Sequence, residues 1–138
     1  MIIPFEKIES TIAIAKSELL LIIFYKIIGH DKLKTINGLY SDGYHKYWYL
    51  NGLRHREDGP AAEWSDGTNC WYKNGKFHRE DGPAIERPDG RKFWFLNGER
   101  HRKDGPACEY ADGEKSYYLE GEHLSKAEFY RYIAQKAE

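Results

Sequence analysis

Cysteine is scarce in these 138 residues: there are two, Cys70 and Cys108. A small domain stapled by disulfides carries more of them at regular spacings, so this pair reads as reduced packing residues of a cytoplasmic protein. Charge of one sign is also missing, with 21 Lys and Arg against 22 Asp and Glu. A surface that tracks duplex phosphates is basic and has a high pI, and a pI near 6.6 argues against duplex nucleic acid as a partner. Long apolar runs are absent too. The longest, Leu19 to Tyr25 with Ile27 and Ile28 beyond it, is flanked by Glu18 and broken by Lys26. A membrane span needs about 20 apolar residues, and a signal peptide needs a basic lead and a small-residue cleavage site. The run reads as a buried element. No P-loop, nucleophile elbow or dinucleotide-binding glycine pattern occurs, so no enzymatic activity, cofactor or metal is expected.

What the chain has is aromatics and repetition. Aromatic residues make up 15%, with 11 Tyr and 4 Trp. The phrase His55-Arg56-Glu57-Asp58-Gly59-Pro60-Ala61 returns as His78-Arg79-Glu80-Asp81-Gly82-Pro83-Ala84 and as His101-Arg102-Lys103-Asp104-Gly105-Pro106-Ala107, 23 residues on each time. A fixed period of this size is the signature of a repeat architecture. Two further landmarks keep step with it. One is Asn51-Gly52, Asn74-Gly75, Asn97-Gly98 and a weakened Glu120-Gly121. The other is Asp42-Gly43, Asp66-Gly67, Asp89-Gly90 and Asp112-Gly113, the first displaced by one residue inserted between Tyr44 and Lys46.

Between each Asp-Gly and the next Asn-Gly lies an aromatic stretch with strand composition, bounded by turn dipeptides. Asn-Gly accepts positive φ at both central positions, as a type I′ hairpin requires. Each unit is therefore expected to run turn, aromatic strand, tight turn, short strand. Alternation sorts the rings into two columns: Trp48, Trp71, Trp94 and Tyr117 on one face, Tyr49, Tyr72, Phe95 and Tyr118 on the other. Aromatics on both faces imply that at least one face is covered.

The flanks differ from the units. Ser125 and Glu128 form a capping box with Leu124 and Phe129 as hydrophobic staple, predicting a helix from about Lys126 to Lys136. Apolar positions Ile8, Ile12, Ala15, Leu19, Ile22 and Ile23 have helical spacing, although Thr11 to Ala15 alternates like a strand. The expected organisation is an N-terminal apolar helical segment over residues 1–36 packing on the sheet, a β-repeat sheet over 37–124, and a C-terminal capping helix over 125–138. Repeat arrays need terminal caps of this kind.

The stretch Trp71-Tyr72-Lys73-Asn74-Gly75-Lys76-Phe77-His78-Arg79-Glu80-Asp81-Gly82-Pro83-Ala84 resembles a variant of the MORN repeat, and the likeness covers roughly Asp42 to Leu124. The resemblance implies a mainly β fold, a single-layer antiparallel β-meander of 23-residue MORN-like repeats that serves as an interaction scaffold. Proteins with such variant repeats are carried by bacteria, phages and large viruses, some beside toxin–antitoxin or defence genes. The resemblance thus implies the cytoplasm of a bacterial or infected host cell.

Residues that look catalytic come as ladders. His55, His78 and His101 recur about 10 Å apart if two strands separate them, too far to share one ion. They read as scaffold histidines bonding the neighbouring turn. Arg56, Arg79 and Arg102 precede Asp58, Asp81 and Asp104 by two residues, as a local ion pair fixing the turn would. Glu63, Glu86 and Glu109 read as cross-strand partners for Arg or Lys. Lys103 replaces the Glu of the other copies, so Arg102-Lys103 is the best anion contact.

The expected function is a non-enzymatic protein-interaction module, an inhibitor or immunity- or anti-defence-type factor. Tyr49, Tyr72, Phe95 and Tyr118 would contact a protein partner, with Arg79 and Arg102 at the rim, since aromatics give contact area at low entropy cost. Two alternatives stand beside it. One is a small anionic ligand, a nucleotide signal or a lipid headgroup, along the Arg/His edge. The other is a structural or self-assembling module joined through open sheet edges, a homo-oligomer.

Overall fold

Paired positive φ angles set the hairpins. In a computed structural model describing residues 36–137, Asn51 and Gly52 have φ of 52° and 76°, and Asn74-Gly75 and Asn97-Gly98 match them. Even Glu120, where neither Asn nor Gly stands, is held at 51° ahead of Gly121. These are the type I′ turns expected of Asn-Gly. They close β2 (Lys46–Leu50) on β3 (Leu53–Arg54), β6 (Tyr72–Lys73) on β7 (Lys76–Phe77), β10 (Phe95–Leu96) on β11 (Glu99–Arg100), and β13 (Lys115–Leu119) on β14 (Glu122–Leu124).

The Asp-Gly landmarks make a second turn type. Gly67 donates its N–H to the Trp64 carbonyl, Trp64 donates to the Thr68 carbonyl, and Gly67 has a φ of 87°. That is a three-residue loop whose glycine takes the left-handed bulge position, and Arg87–Arg91 and Tyr110–Glu114 repeat its bonds. The first loop is one residue longer, and the Asp42 carboxylate accepts the N–H groups of Tyr44 and His45. This accommodates the inserted residue.

The sheet is antiparallel throughout. Its order is β1 (Gly38–Ser41), β2, β4 (Ala62–Glu63), β5 (Asn69–Cys70), β8 (Ile85–Glu86), β9 (Lys92–Phe93), β12 (Cys108–Glu109), β13 and β14. The expected meander needs one refinement. β3 pairs only with β2, and β6–β7 and β10–β11 are two-stranded ladders beside the main path. The cause lies at Trp71, which donates its N–H to Ala84 on one side while its carbonyl accepts from His78 on the other. Beyond Trp71 the chain pairs backwards: Gly75 donates to Arg54 and Arg56 donates to Tyr72. Trp94 makes the same change of neighbour.

Register separates two unlike faces. Lys46, Glu63, Asn69, Glu86, Lys92, Glu109 and Lys115 form one cross-strand row, largely of alternating charge. The adjacent row is Tyr47, Ala62, Cys70, Ile85, Phe93, Cys108 and Ser116, on the opposite, apolar face. Charges of opposite sign in directly facing positions support a sheet.

The helix α1 (Lys126–Lys136) starts as its sequence dictates. Ser125 Oγ accepts from the Glu128 N–H, and Glu128 Oε2 accepts from the Ser125 N–H. Phe129, 1% exposed, packs with Tyr117, Leu119, Leu124 and Ile133. Since Tyr117 stands in the Trp column, α1 covers the Trp-bearing face at the end of the sheet. The expected N-terminal helix and its packing on the sheet lie outside the described residues.

Candidate interaction faces

On the Trp-bearing face each tryptophan lies under an arginine. The guanidinium carbons of Arg56, Arg79 and Arg102 sit 4.0 Å from the ring centroids of Trp48, Trp71 and Trp94. In each copy the same guanidinium is also hydrogen-bonded. Arg79 Nε donates to Asp81 at 2.9 Å, and its Nη1 donates to the Pro83 carbonyl and to Glu86 at 2.9 Å. Arg102 does the same with Asp104, Pro106 and Glu109. These arginine bonds hold the carboxyls of Asp58, Asp81 and Asp104 below their usual range. Glu63 takes both Arg56 and Lys46.

The glycine of the phrase has a steric reason. A Cβ on Gly82 would lie 2.9 Å from the Arg79 guanidinium carbon, and Gly59 and Gly105 are nearly as tight. None of the three has positive φ. The guanidinium is therefore sandwiched between an indole face and a bare backbone.

The histidines join one hairpin to the next. His55 Nδ1 accepts the N–H of Asn74, His78 that of Asn97, and His101 that of Glu120. A ring that accepts at Nδ1 carries its neutral proton on Nε2. In the first two copies that Nε2 faces a glutamate, Glu57 at 2.8 Å and Glu80 at 3.4 Å.

Arg79 and Arg102, expected at a binding rim, are thus built into the turns together with His55, His78, His101, Asp58, Asp81, Asp104, Trp48, Trp71 and Trp94. Lys103 is exposed. Tyr49, Tyr72, Phe95 and Tyr118 lie on the apolar face and are half-buried against one another's neighbours. Each faces a residue of the second hairpin arm: Arg54, Phe77, Arg100 and His123 in turn. Tyr72 and Phe77 stack at 4.4 Å, and Phe77 and Phe95 lie 5.2 Å apart. The Arg54 guanidinium sits over Tyr47 at 5.0 Å and Tyr72 at 5.4 Å, and that of Arg100 sits over Tyr118 at 5.2 Å. Both arginines also donate to tyrosine hydroxyls, of Tyr72 and Tyr118 respectively.

The result is one stripe of rings and guanidiniums crossing all four hairpins. Arg54 and Arg100 were not singled out from sequence, yet the residue before each phrase histidine keeps the 23-residue step and marks them. Trp64 was also missed; its ring meets Tyr47 edge-on at 5.6 Å. Burial pushes the Tyr47 hydroxyl up to about 12, as expected of a phenol losing water.

No family model matches this chain, and neither does any curated protein or solved structure. Among the described residues, no three His, Cys, Asp or Glu side chains are grouped to hold a metal ion. No described helix is long and apolar enough to cross a membrane. Cys70 and Cys108 are free and buried, and burial raises both thiols.

Proposed function

We propose that the chain is a non-enzymatic protein-interaction module of 23-residue MORN-like repeats, of the inhibitor or immunity- and anti-defence type. Its partner-binding surface is the apolar face, with Tyr49, Tyr72, Phe95 and Tyr118 as anchors. The observation that supports this reading is the stripe in which Arg54 and Arg100 alternate with those rings. Tyr, Trp and Arg are the residue types that dominate binding energy at protein interfaces. Stacked rings and a paired guanidinium meet a partner with little rotamer entropy left to lose. On the opposite face the same residue types are used up internally, each Arg locked over its Trp.

The reading places the arginine contacts at Arg54 and Arg100 rather than at Arg79 and Arg102. The test is affinity capture with the full chain from a lysate that contains the partner. Phe95→Ala should lose the captured protein while Lys92→Ala, on the opposite face, retains it, with both variants melting near the parent. Capture indifferent to Phe95, or no specific capture at all, sinks the reading. Tyr72→Ala adds a check: loss of folding there would return Tyr72 to the core.

A further inference from the structure

The third copy of the phrase departs from the other two at both ring nitrogens: Nδ1 has no Asn side-chain oxygen beside it, as His55 has Asn74 and His78 has Asn97, and Nε2 has no carboxylate. His101 is 9% exposed, and its Nδ1 accepts the Glu120 N–H as the earlier histidines accept theirs. Its Nε2, by contrast, is buried and without a hydrogen-bond partner. In the earlier copies the acceptor is the carboxylate two residues on, Glu57 or Glu80. Lys103 stands at that position here, and an ammonium group accepts nothing.

Because Nδ1 is taken up by a backbone N–H, the neutral ring must carry its proton on Nε2. The copy therefore holds a buried donor with no acceptor, a condition that costs about 1–3 kcal/mol. Beside it the chain puts a cation where it elsewhere puts an anion. Arg102 is taken up by Asp104 and Glu109, so the cation that sets this copy apart from the other two is Lys103. Residue 103 is exposed, as are Glu57 and Glu80, so the side from which the glutamates reach Nε2 is the solvent side.

We propose that the third copy is an anion subsite: His101 Nε2–H and the Lys103 ammonium together take a carboxylate supplied from outside the copy. That carboxylate fills the place Glu57 and Glu80 fill from within. It would come from an acidic side chain of a bound protein or from a free small carboxylate; the recognising chemistry is the same. The inference does not rest on the apolar-face reading, because a simple anion reports on it with no partner present.

The experiment is a titration of the full chain, isotopically labelled in histidine, with acetate and separately with inorganic phosphate, following the three imidazole signals by NMR. Acetate should shift the His101 signals saturably and leave those of His55 and His78 in place. Lys103→Glu rebuilds the internal carboxylate and should weaken the acetate response about tenfold or more, in keeping with loss of a charge-assisted hydrogen bond. Lys103→Ala, which keeps the donor and removes the cation, should weaken it to a lesser extent. No saturable shift at His101, or the same shift in Lys103→Glu, overturns the subsite. A response to phosphate without one to acetate overturns its assignment to a carboxylate.

Discussion

The Arg79 guanidinium carbon stands 4.0 Å above the Trp71 ring, and the same distance recurs for Arg102 over Trp94. An arginine in this position does three jobs. It caps an indole, it pairs with Asp81 and Glu86, and it ties down the Pro83 carbonyl. Arg79→Ala should therefore lower stability by about 2 kcal/mol, from the lost cation–π contact and the unpaired acceptors. Arg79→Lys should recover only part of this, since an ammonium lacks the planar fork that stacks and bonds at once. Denaturant melts of the two variants decide the point.

Gly82 tests the same sandwich from its other side. Its φ does not demand glycine, so Gly82→Ala is disfavoured by contact alone, with the new Cβ 2.9 Å from the guanidinium carbon. We expect a loss of about 1–3 kcal/mol, typical of an overpacked site. In the background of Arg79→Ala the same substitution should cost far less. A double-mutant cycle reads the difference, and additive effects would refute the sandwich.

The contrast between these glycines shows what was legible in the sequence. Asn-Gly and Asp-Gly turns, the Ser125–Glu128 capping box and the helix bounds were legible, because each is decided within a few residues. The role of Gly82 was not: its neighbour is the end of a long side chain three residues back, and glycine in a turn dipeptide suggests φ first. The Arg54–Tyr72 contact was further out of reach, since it joins two hairpins and depends on Trp71 changing its strand neighbour. Alternation placed Tyr72 on the correct face with Tyr49, Phe95 and Tyr118, but did not say that Arg54 and Arg100 would lie between the rings. Nor did it say which column α1 would cover, a choice made by where Phe129 meets Tyr117.

Glu120 holds a φ of 51° that other residues in this position meet with Asn. The left-handed region costs a side chain without local compensation about 1 kcal/mol. Glu120→Asn should raise stability by roughly that amount, because the N–H bonded by His101 is backbone and survives the change. A rise in melting temperature with the residue-120 amide still protected from exchange is the expected result; an unchanged or lower melting temperature contradicts it.

Acid should loosen the phrase turns. Asp58, Asp81 and Asp104 sit below the unfolded value of 3.8 because arginine hydrogen bonds favour their charged forms. A carboxyl lowered in the fold contributes stability that is complete above its unfolded pKa and is lost as pH falls through the folded value. Stability should thus be flat down to about pH 4 and decline below it. Asp81→Asn should flatten that decline while lowering the plateau. A limb that is unaltered by the substitution would mean that other carboxyls govern it.

The core at the C-terminal end of the sheet is centred on one side chain, Phe129. An isolated helix of the length of α1 is marginal in water, so its structure depends on the contact it makes with the sheet. That contact centres on Phe129, 1% exposed, whose ring lies 5.0 Å from Tyr117. Where the earlier units cover their Trp with an arginine, the final one has lost the phrase and covers Tyr117 with Phe129. Phe129→Ala should cost about 3–5 kcal/mol, as for a fully buried aromatic. Its signature should be local before it is global: helical circular dichroism falls, and amide exchange accelerates at Tyr117 and Leu119, at denaturant concentrations that leave the β2–β3 hairpin protected. Uniform loss of protection across the sheet would show instead that α1 and the hairpins unfold as one unit.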